Sequence, residues 1–171
     1  MDIRDHIRAV PDFPKPGIMF RDITPVMENP AAYQAALAGM TDLIADVDYT
    51  SFAAVESRGF IFGGPLGVAL NKPMVLVRKA GKLPGETRAV TYKLEYGEAT
   101  LEAHLTSFKA GDSVMIVDDL LATGGTAAAT AKLVEAAGAS VAGFLFLVEL
   151  DFLNGRENLK SNAPVFSLIH Y

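Results

Sequence analysis

The chain has no cysteine. Disulfides, thiolate metal sites and cysteine nucleophiles are therefore excluded, which suits a reducing cytoplasmic setting. It has no excess of positive charge either: 15 Lys and Arg stand against 20 Asp and Glu, for a net charge of -5. No general basic field would draw in nucleic acid, so an anionic ligand must be held by local groups. Long apolar runs are missing. The longest, such as 141–148, fall far short of the roughly 20 residues of a membrane span. The opening Met1-Asp2-Ile3-Arg4-Asp5 carries charges where a signal peptide needs an apolar stretch. No Gly-Lys-Ser or Gly-Lys-Thr tripeptide occurs, which excludes a Walker phosphate loop, and the dinucleotide fingerprint is also absent. The three histidines, His6, His104 and His170, are scattered and suggest no metal site. These absences predict a cytoplasmic protein with neither nucleic acid nor a membrane as partner.

What is present points to one folded domain over 1–171: half the residues are hydrophobic and 20% are charged. Asn29-Pro30 reads as a helix start, an N-cap followed by a proline at the first helical position. Tyr33, Leu37, Met40, Ile44 and Val47 follow at helical spacing. Short apolar strands are predicted over 52–55, 74–77, 113–117, 140–150 and 165–169, and helices over 60–70 and 126–137, the latter closed by Gly138. Strands alternating with helices imply a twisted, mainly parallel α/β sheet flanked by helices. Residues 79–88 are polar, basic and glycine-bearing, a lid-like loop. Tyr92, Leu94 and Tyr96, then Leu101, Ala103 and Leu105, alternate with polar residues around Gly97-Glu98. This hairpin breaks the alternation and is expected as an arm beside the sheet.

The richest segment is 114–126: a buried strand, then Asp118-Asp119, a turn of Ala122, Thr123, Gly124 and Gly125, and a helix opening at Thr126. In an open parallel sheet, ligands bind beyond the carboxyl ends of the strands. Small residues leave backbone N–H groups bare, and with the helix N-terminus and threonine hydroxyls they suit a phosphate. The carboxylates would repel that phosphate, so sugar hydroxyls are their natural partners. Taken alone, Asp-Asp is commonly a solvated turn; here strand, acids, small-residue turn and helix start coincide.

This segment resembles the phosphoribosyl pyrophosphate signature of the type I phosphoribosyltransferases. Pro11-Asp12-Phe13-Pro14-Lys15-Pro16-Gly17, Phe20-Arg21-Asp22-Ile23-Thr24-Pro25, Glu56-Ser57-Arg58-Gly59-Phe60, the stretch from Arg78 to Gly85, and Leu94-Glu95-Tyr96-Gly97 are similar, in the same order, to the adenine-specific branch of that family. The likeness spans nearly the whole chain. It implies the type I phosphoribosyltransferase fold, with a small hood over 1–30 and a flexible lid loop and hairpin over 79–105.

The resemblance also implies roles. Asp118 and Asp119 would bind the ribose hydroxyls, and Ala122, Thr123, Gly124, Gly125 and Thr126 the 5-phosphate. Ser57 and Arg58 fall in a pyrophosphate loop where a cis peptide is usual, with Arg78, Lys79 and Lys82 approaching from the lid. Phe20 and Arg21 sit where adenine is recognised. Glu95 matches a catalytic acid or base, with Tyr96 beside it in the lid. Catalysis would then rest on Glu95 and Arg58. Magnesium, held mainly by the substrate, and a homodimer are expected. Glu56 stands where many relatives carry Asp. Lys79 and Lys82 would equally form a solvated basic loop, Phe20 part of the core, and Glu95 a turn carboxylate paired with Lys93. Other purines as acceptor, or a non-catalytic sensor of the same sugar phosphate, remain open at this point.

Overall fold

Every residue of 51–55 is buried, because this strand lies in the middle of a sheet covered on both faces. The computed structural model describes residues 2–93 and 97–171. Its strands and helices run β1 (Arg8–Pro11), β2 (Met19–Asp22), α1 (Thr24–Glu28), α2 (Pro30–Leu43), β3 (Ser51–Val55), α3 (Arg58–Ala69), β4 (Met74–Lys79), β5 (Thr87–Lys93), β6 (Glu98–His104), β7 (Ser113–Leu121), α4 (Gly125–Ala136), β8 (Ser140–Glu149), α5 (Gly155–Asn158) and β9 (Val165–His170).

The main sheet has seven strands in the order β5-β6-β4-β3-β7-β8-β9. Its core, β4, β3, β7, β8 and β9, is parallel. Successive side chains point to opposite faces, so Phe52, Ala54, Met115 and Val117 enter one core with Ala32, Ala36 and Met40 of α2 and Phe62 and Leu66 of α3. Ala53, Val55, Val114 and Ile116 enter the other with Ala127, Ala131, Leu133 and Val134 of α4. Asn29 caps α2 as expected: its side chain accepts from the N–H groups of Ala31 and Ala32 at 3.0 and 3.1 Å.

The hairpin differs from its expected place. β6 pairs antiparallel with β4 through Arg78↔Glu102 and Lys79↔Leu101, so β5 and β6 extend the sheet instead of standing beside it. The polar-apolar alternation of these strands cannot tell a detached arm from a sheet edge. The anchor is Glu102, which is 7% exposed; its carboxylate accepts from the N–H of Gly81 at 2.9 Å and from the Thr87 hydroxyl at 3.1 Å. A separate two-stranded sheet, β1-β2, pairs Val10 with Phe20 and Ala9 with Arg21. None of the described helices is long and apolar enough to cross a membrane.

Candidate active site

β3 continues into β4 on one side of the sheet and β7 into β8 on the other. The chain therefore reverses its direction of progress between β3 and β7, and the loops leaving their carboxyl ends diverge and open a crevice. From β3 come Glu56, Ser57 and Arg58, with a cis peptide between Glu56 and Ser57. From β7 come Asp118 and Asp119, still within the strand, then Leu120 and Leu121 and the turn into α4. These two loops, with Lys79 from the end of β4, line a cavity of about 410 Å³ whose walls include Ser57, Arg58, Lys79, Asp118, Asp119, Ala122, Thr123, Gly124, Gly125 and Thr126. Ten positions singled out in the sequence thus meet in one space. Glu56 and Phe146 join them.

The acidic pair is unusual in its surroundings. Asp119 is 4% exposed. Its Oδ2 lies 2.9 Å from Nε of Arg58, yet among the described residues no hydrogen-bond donor points at this buried oxygen. The two observations agree if the Arg58 N–H is directed past it: charge is matched, hydrogen bonding is not. Oδ1 of Asp118 accepts from the Asp119 N–H at 2.9 Å. Burial, and then repulsion by Asp119, push the Asp118 carboxyl well above the ordinary carboxylate range. Burial also raises Asp119, against the pull of Arg58. A buried acceptor without a donor is costly, and hydroxyl donors from a ligand would satisfy it.

Gly124 takes the left-handed conformation, φ 83°, immediately before α4. A β-carbon there would sit 2.3 Å from the carbonyl oxygen of Gly155. On the other flank of the turn, the Thr126 hydroxyl meets the Tyr92 hydroxyl at 3.1 Å. This ties the turn to the strand that leads toward Glu95.

Glu56, whose role the sequence left open, is a brace. Its carboxylate takes the Arg78 guanidinium at 3.2 and 3.3 Å and the Lys79 N–H at 2.9 Å. Those bonds, the Lys79 N–H first, hold its carboxyl below the ordinary range despite partial burial. Arg78 in turn donates to the Lys82 carbonyl at 3.0 Å. Neither Arg78 nor Lys82 lines the cavity; Lys79 does.

Phe20 and Arg21 do not line it either. Phe20 is half-buried and packs edge-on against Phe13, with ring centres 5.1 Å apart. The Arg21 guanidinium lies 3.8 Å over the Tyr171 ring. Glu95 and Tyr96 lie outside the described residues. Sequence reasoning missed Tyr92, read only as an alternating strand residue. Its one signal was its place three positions before Glu95.

The phosphoribosyl transferase domain family matches residues 28–169. An adenine phosphoribosyltransferase of Synechococcus sp. is 48% identical over 171 residues, covering 100% of this chain and 99% of its own. This chain belongs to the adenine phosphoribosyltransferase family. Its fold matches that of the family member from Thermoanaerobacter pseudethanolicus with a TM-score of 0.95 at 47% identity, over 99% of this chain and 98% of that one. The member from Saccharomyces cerevisiae, solved with an imino-altritol bisphosphate and adenine, matches with a TM-score of 0.90 at 42% identity, over 97% and 96%. Because both chains are covered almost completely, family membership reaches the β1-β2 sheet and the β5-β6 hairpin as well as the central strands.

Proposed function

We infer that the chain transfers the phosphoribosyl group of 5-phosphoribosyl 1-pyrophosphate to adenine, forming AMP and pyrophosphate, a purine salvage reaction in the cytoplasm. The observation that carries this reading is the single cavity in which an underbonded buried acid, Asp119, faces a small-residue turn at a helix N-terminus. One end suits sugar hydroxyls and the other a phosphate.

In this reading Asp118 and Asp119 hold the ribose 2- and 3-hydroxyls, and Ala122 to Thr126 hold the 5-phosphate. The anomeric carbon then points toward Ser57, Arg58 and Lys79, where pyrophosphate would sit. Arg78 acts at one remove, by fixing the loop that carries Lys79 and Lys82. The bond from the anomeric carbon to pyrophosphate breaks through an oxocarbenium-like transition state. The bond to adenine N9 forms, and the N9 proton leaves to Glu95. The protein's contribution is to orient both reactants and stabilise the departing charge.

Magnesium belongs to the proposal, and when bound it neutralises part of the pyrophosphate charge. The oxygen donors around the cavity fit an ion carried largely by the substrate: Glu56 is committed to Arg78 and Lys79, and Asp119 is paired with Arg58. The ion needs oxygen ligands and keeps several waters, so no protein cage is required.

Residues 1–30 would form the adenine-side hood, with Phe20 offering an aromatic face and the backbone near Arg21 reading the base edge. The Arg21–Tyr171 stack supports this by anchoring β2 to the C-terminal residue. Residues 79–105, including Tyr96, would close as a lid and keep water from the activated sugar. A homodimer completes the reading.

The decisive experiment supplies phosphoribosyl pyrophosphate with labelled adenine, hypoxanthine, guanine or xanthine and measures pyrophosphate release. Release with adenine alone is expected. Preference for another purine would reassign the base, and binding without release would make the chain a sensor. Glu95→Gln should lower kcat about 100-fold or more, the scale of a lost general acid or base, with little change in either KM. An unaltered kcat would remove Glu95 from the chemistry.

A further inference from the structure

The phosphate turn is shaped from behind by residues 150–159. The N–H of Leu150 donates to the Leu121 carbonyl at 3.0 Å. Gly155 lies so close to the next carbonyl that a β-carbon on it would be 2.2 Å from the oxygen of Ala122. Asn158 Nδ2 donates to the Thr123 carbonyl at 2.6 Å. Two carbonyls, those of Leu121 and Thr123, thus accept bonds from one segment, the Ala122 carbonyl between them packs against it, and none of its residues lines the cavity.

The peptide unit gives this arrangement a consequence. In a trans peptide the C=O and the following N–H point in opposite directions. Holding the Thr123 carbonyl on Asn158 therefore turns the Gly124 N–H the other way, toward the cavity that Gly124 lines. Convergent N–H groups repel one another and relax apart unless their carbonyls are fixed elsewhere; fixed, they form an anion-binding concavity.

The segment is itself clamped by a group the mechanism does not use. Glu149, 4% exposed, ends β8 and takes Arg156 at 2.6 and 2.7 Å and the Ser167 hydroxyl at 2.5 Å. Arg156 also donates to the Val165 carbonyl at 3.1 Å. A buried carboxylate persists only when fully paired, so this cluster locks Arg156, and with it the adjacent Gly155, to the end of the sheet.

We propose that Asn158 and the Glu149–Arg156 pair are positioning residues that preset the Thr123–Gly124 turn for the 5-phosphate. This rests on the reading of the cavity given above. The probe is ribose 5-phosphate, which tests the turn without turnover. Asn158→Asp keeps the side chain's shape but removes the donor; it should raise the Kd for ribose 5-phosphate and the KM for phosphoribosyl pyrophosphate about tenfold, the scale of one hydrogen bond. Adenine KM and the thermal midpoint should not move, since Asn158 is exposed. Asn158→Gln, which restores an N–H donor, should recover most of the loss. The double change Glu149→Gln with Arg156→Met leaves no buried charge, so it should fold while weakening ribose 5-phosphate in the same direction. Unchanged ribose 5-phosphate affinity in Asn158→Asp, or equal weakening toward both substrates with a lowered midpoint, would overturn this proposal alone. If the unaltered chain fails to bind ribose 5-phosphate, the reading of the cavity falls with it.

Discussion

Replacing Asp118 and Asp119 together by Asn is expected to collapse turnover while leaving the thermal midpoint at neutral pH equal or higher. Two effects of opposite sign meet here. In the proposed complex each carboxylate accepts from a ribose hydroxyl, and a hydrogen bond to a charged group contributes about 1.5–3 kcal/mol. An Asn oxygen still accepts such a bond but brings no charge, so each substitution loses about 1–1.5 kcal/mol, together about 2–3 kcal/mol or roughly 30- to 160-fold in rate. Stability moves the other way. Both carboxyls titrate above their ordinary range in the fold, chiefly through burial. A group whose folded value is raised contributes most below its unfolded value, and that contribution is lost as pH rises through the folded value. At neutral pH the burial that raises both carboxyls therefore weighs against the fold, and neutral amides relieve it. The amide oxygen introduced at position 118 would still accept from the backbone N–H that the Asp118 carboxylate now holds. Arg58, half exposed, can return to water. Scanning calorimetry from pH 7 down through the carboxylate range should show the variant's advantage shrinking with acidification. Intact steady-state kinetics would refute the ribose assignment; a clear loss of midpoint at pH 7 would make the pair structural.

The second large effect is expected at Gly124, where Ala should damage both fold and function. A side chain at φ 83° is disfavoured by about 1–2 kcal/mol. In addition, the new carbon would meet backbone, the Gly155 oxygen at 2.3 Å and its carbon at 3.2 Å, so either the turn or residues 150–159 must shift. At roughly 2–4 °C per kcal/mol for a chain of this size, conformation alone lowers the midpoint by about 2–8 °C. Any displacement of the turn should raise the KM for phosphoribosyl pyrophosphate by more than about tenfold, since phosphate-binding N–H groups work only at hydrogen-bond distance. Gly125→Ala is the control. Its added carbon would meet the Tyr92 ring at 3.6 Å, an ordinary contact, so the midpoint should stay near that of the unaltered chain. Equal midpoints and equal kinetics for the Gly124 and Gly125 variants would show that the turn does not adopt the described conformation.

The central strands and the long helices were legible because their signals are local and periodic. Val114 to Val117 is an unbroken apolar run, as a strand covered on both faces must be. Asn29-Pro30 announces α2 through capping chemistry that depends on three consecutive residues. The hairpin shows the limit. Alternation marked β5 and β6 as strands, but their attachment to β4 is the long-range pairing of Arg78 with Glu102 and Lys79 with Leu101, a closure with no sequence period. Arg78 is similar: the resemblance implied a pyrophosphate ligand, while in the fold its guanidinium lies on Glu56, twenty-two positions earlier.

By itself the sequence determined the order of strand, acidic pair, small-residue turn and helix, because hydrophobic period, turn chemistry and helix capping act within a few residues of one another. It also determined the cast of the cavity, since the loops at the switch point carry their own side chains. Only the tertiary structure decided how those groups are poised: Arg58 beside a buried Asp119 without a hydrogen bond, Tyr92 on the Thr126 hydroxyl, and Gly155 pressed against the Ala122 carbonyl. Each of those contacts joins segments more than thirty residues apart, and long-range contacts of that kind are set by how the sheet orders its strands, which leaves no local pattern to read.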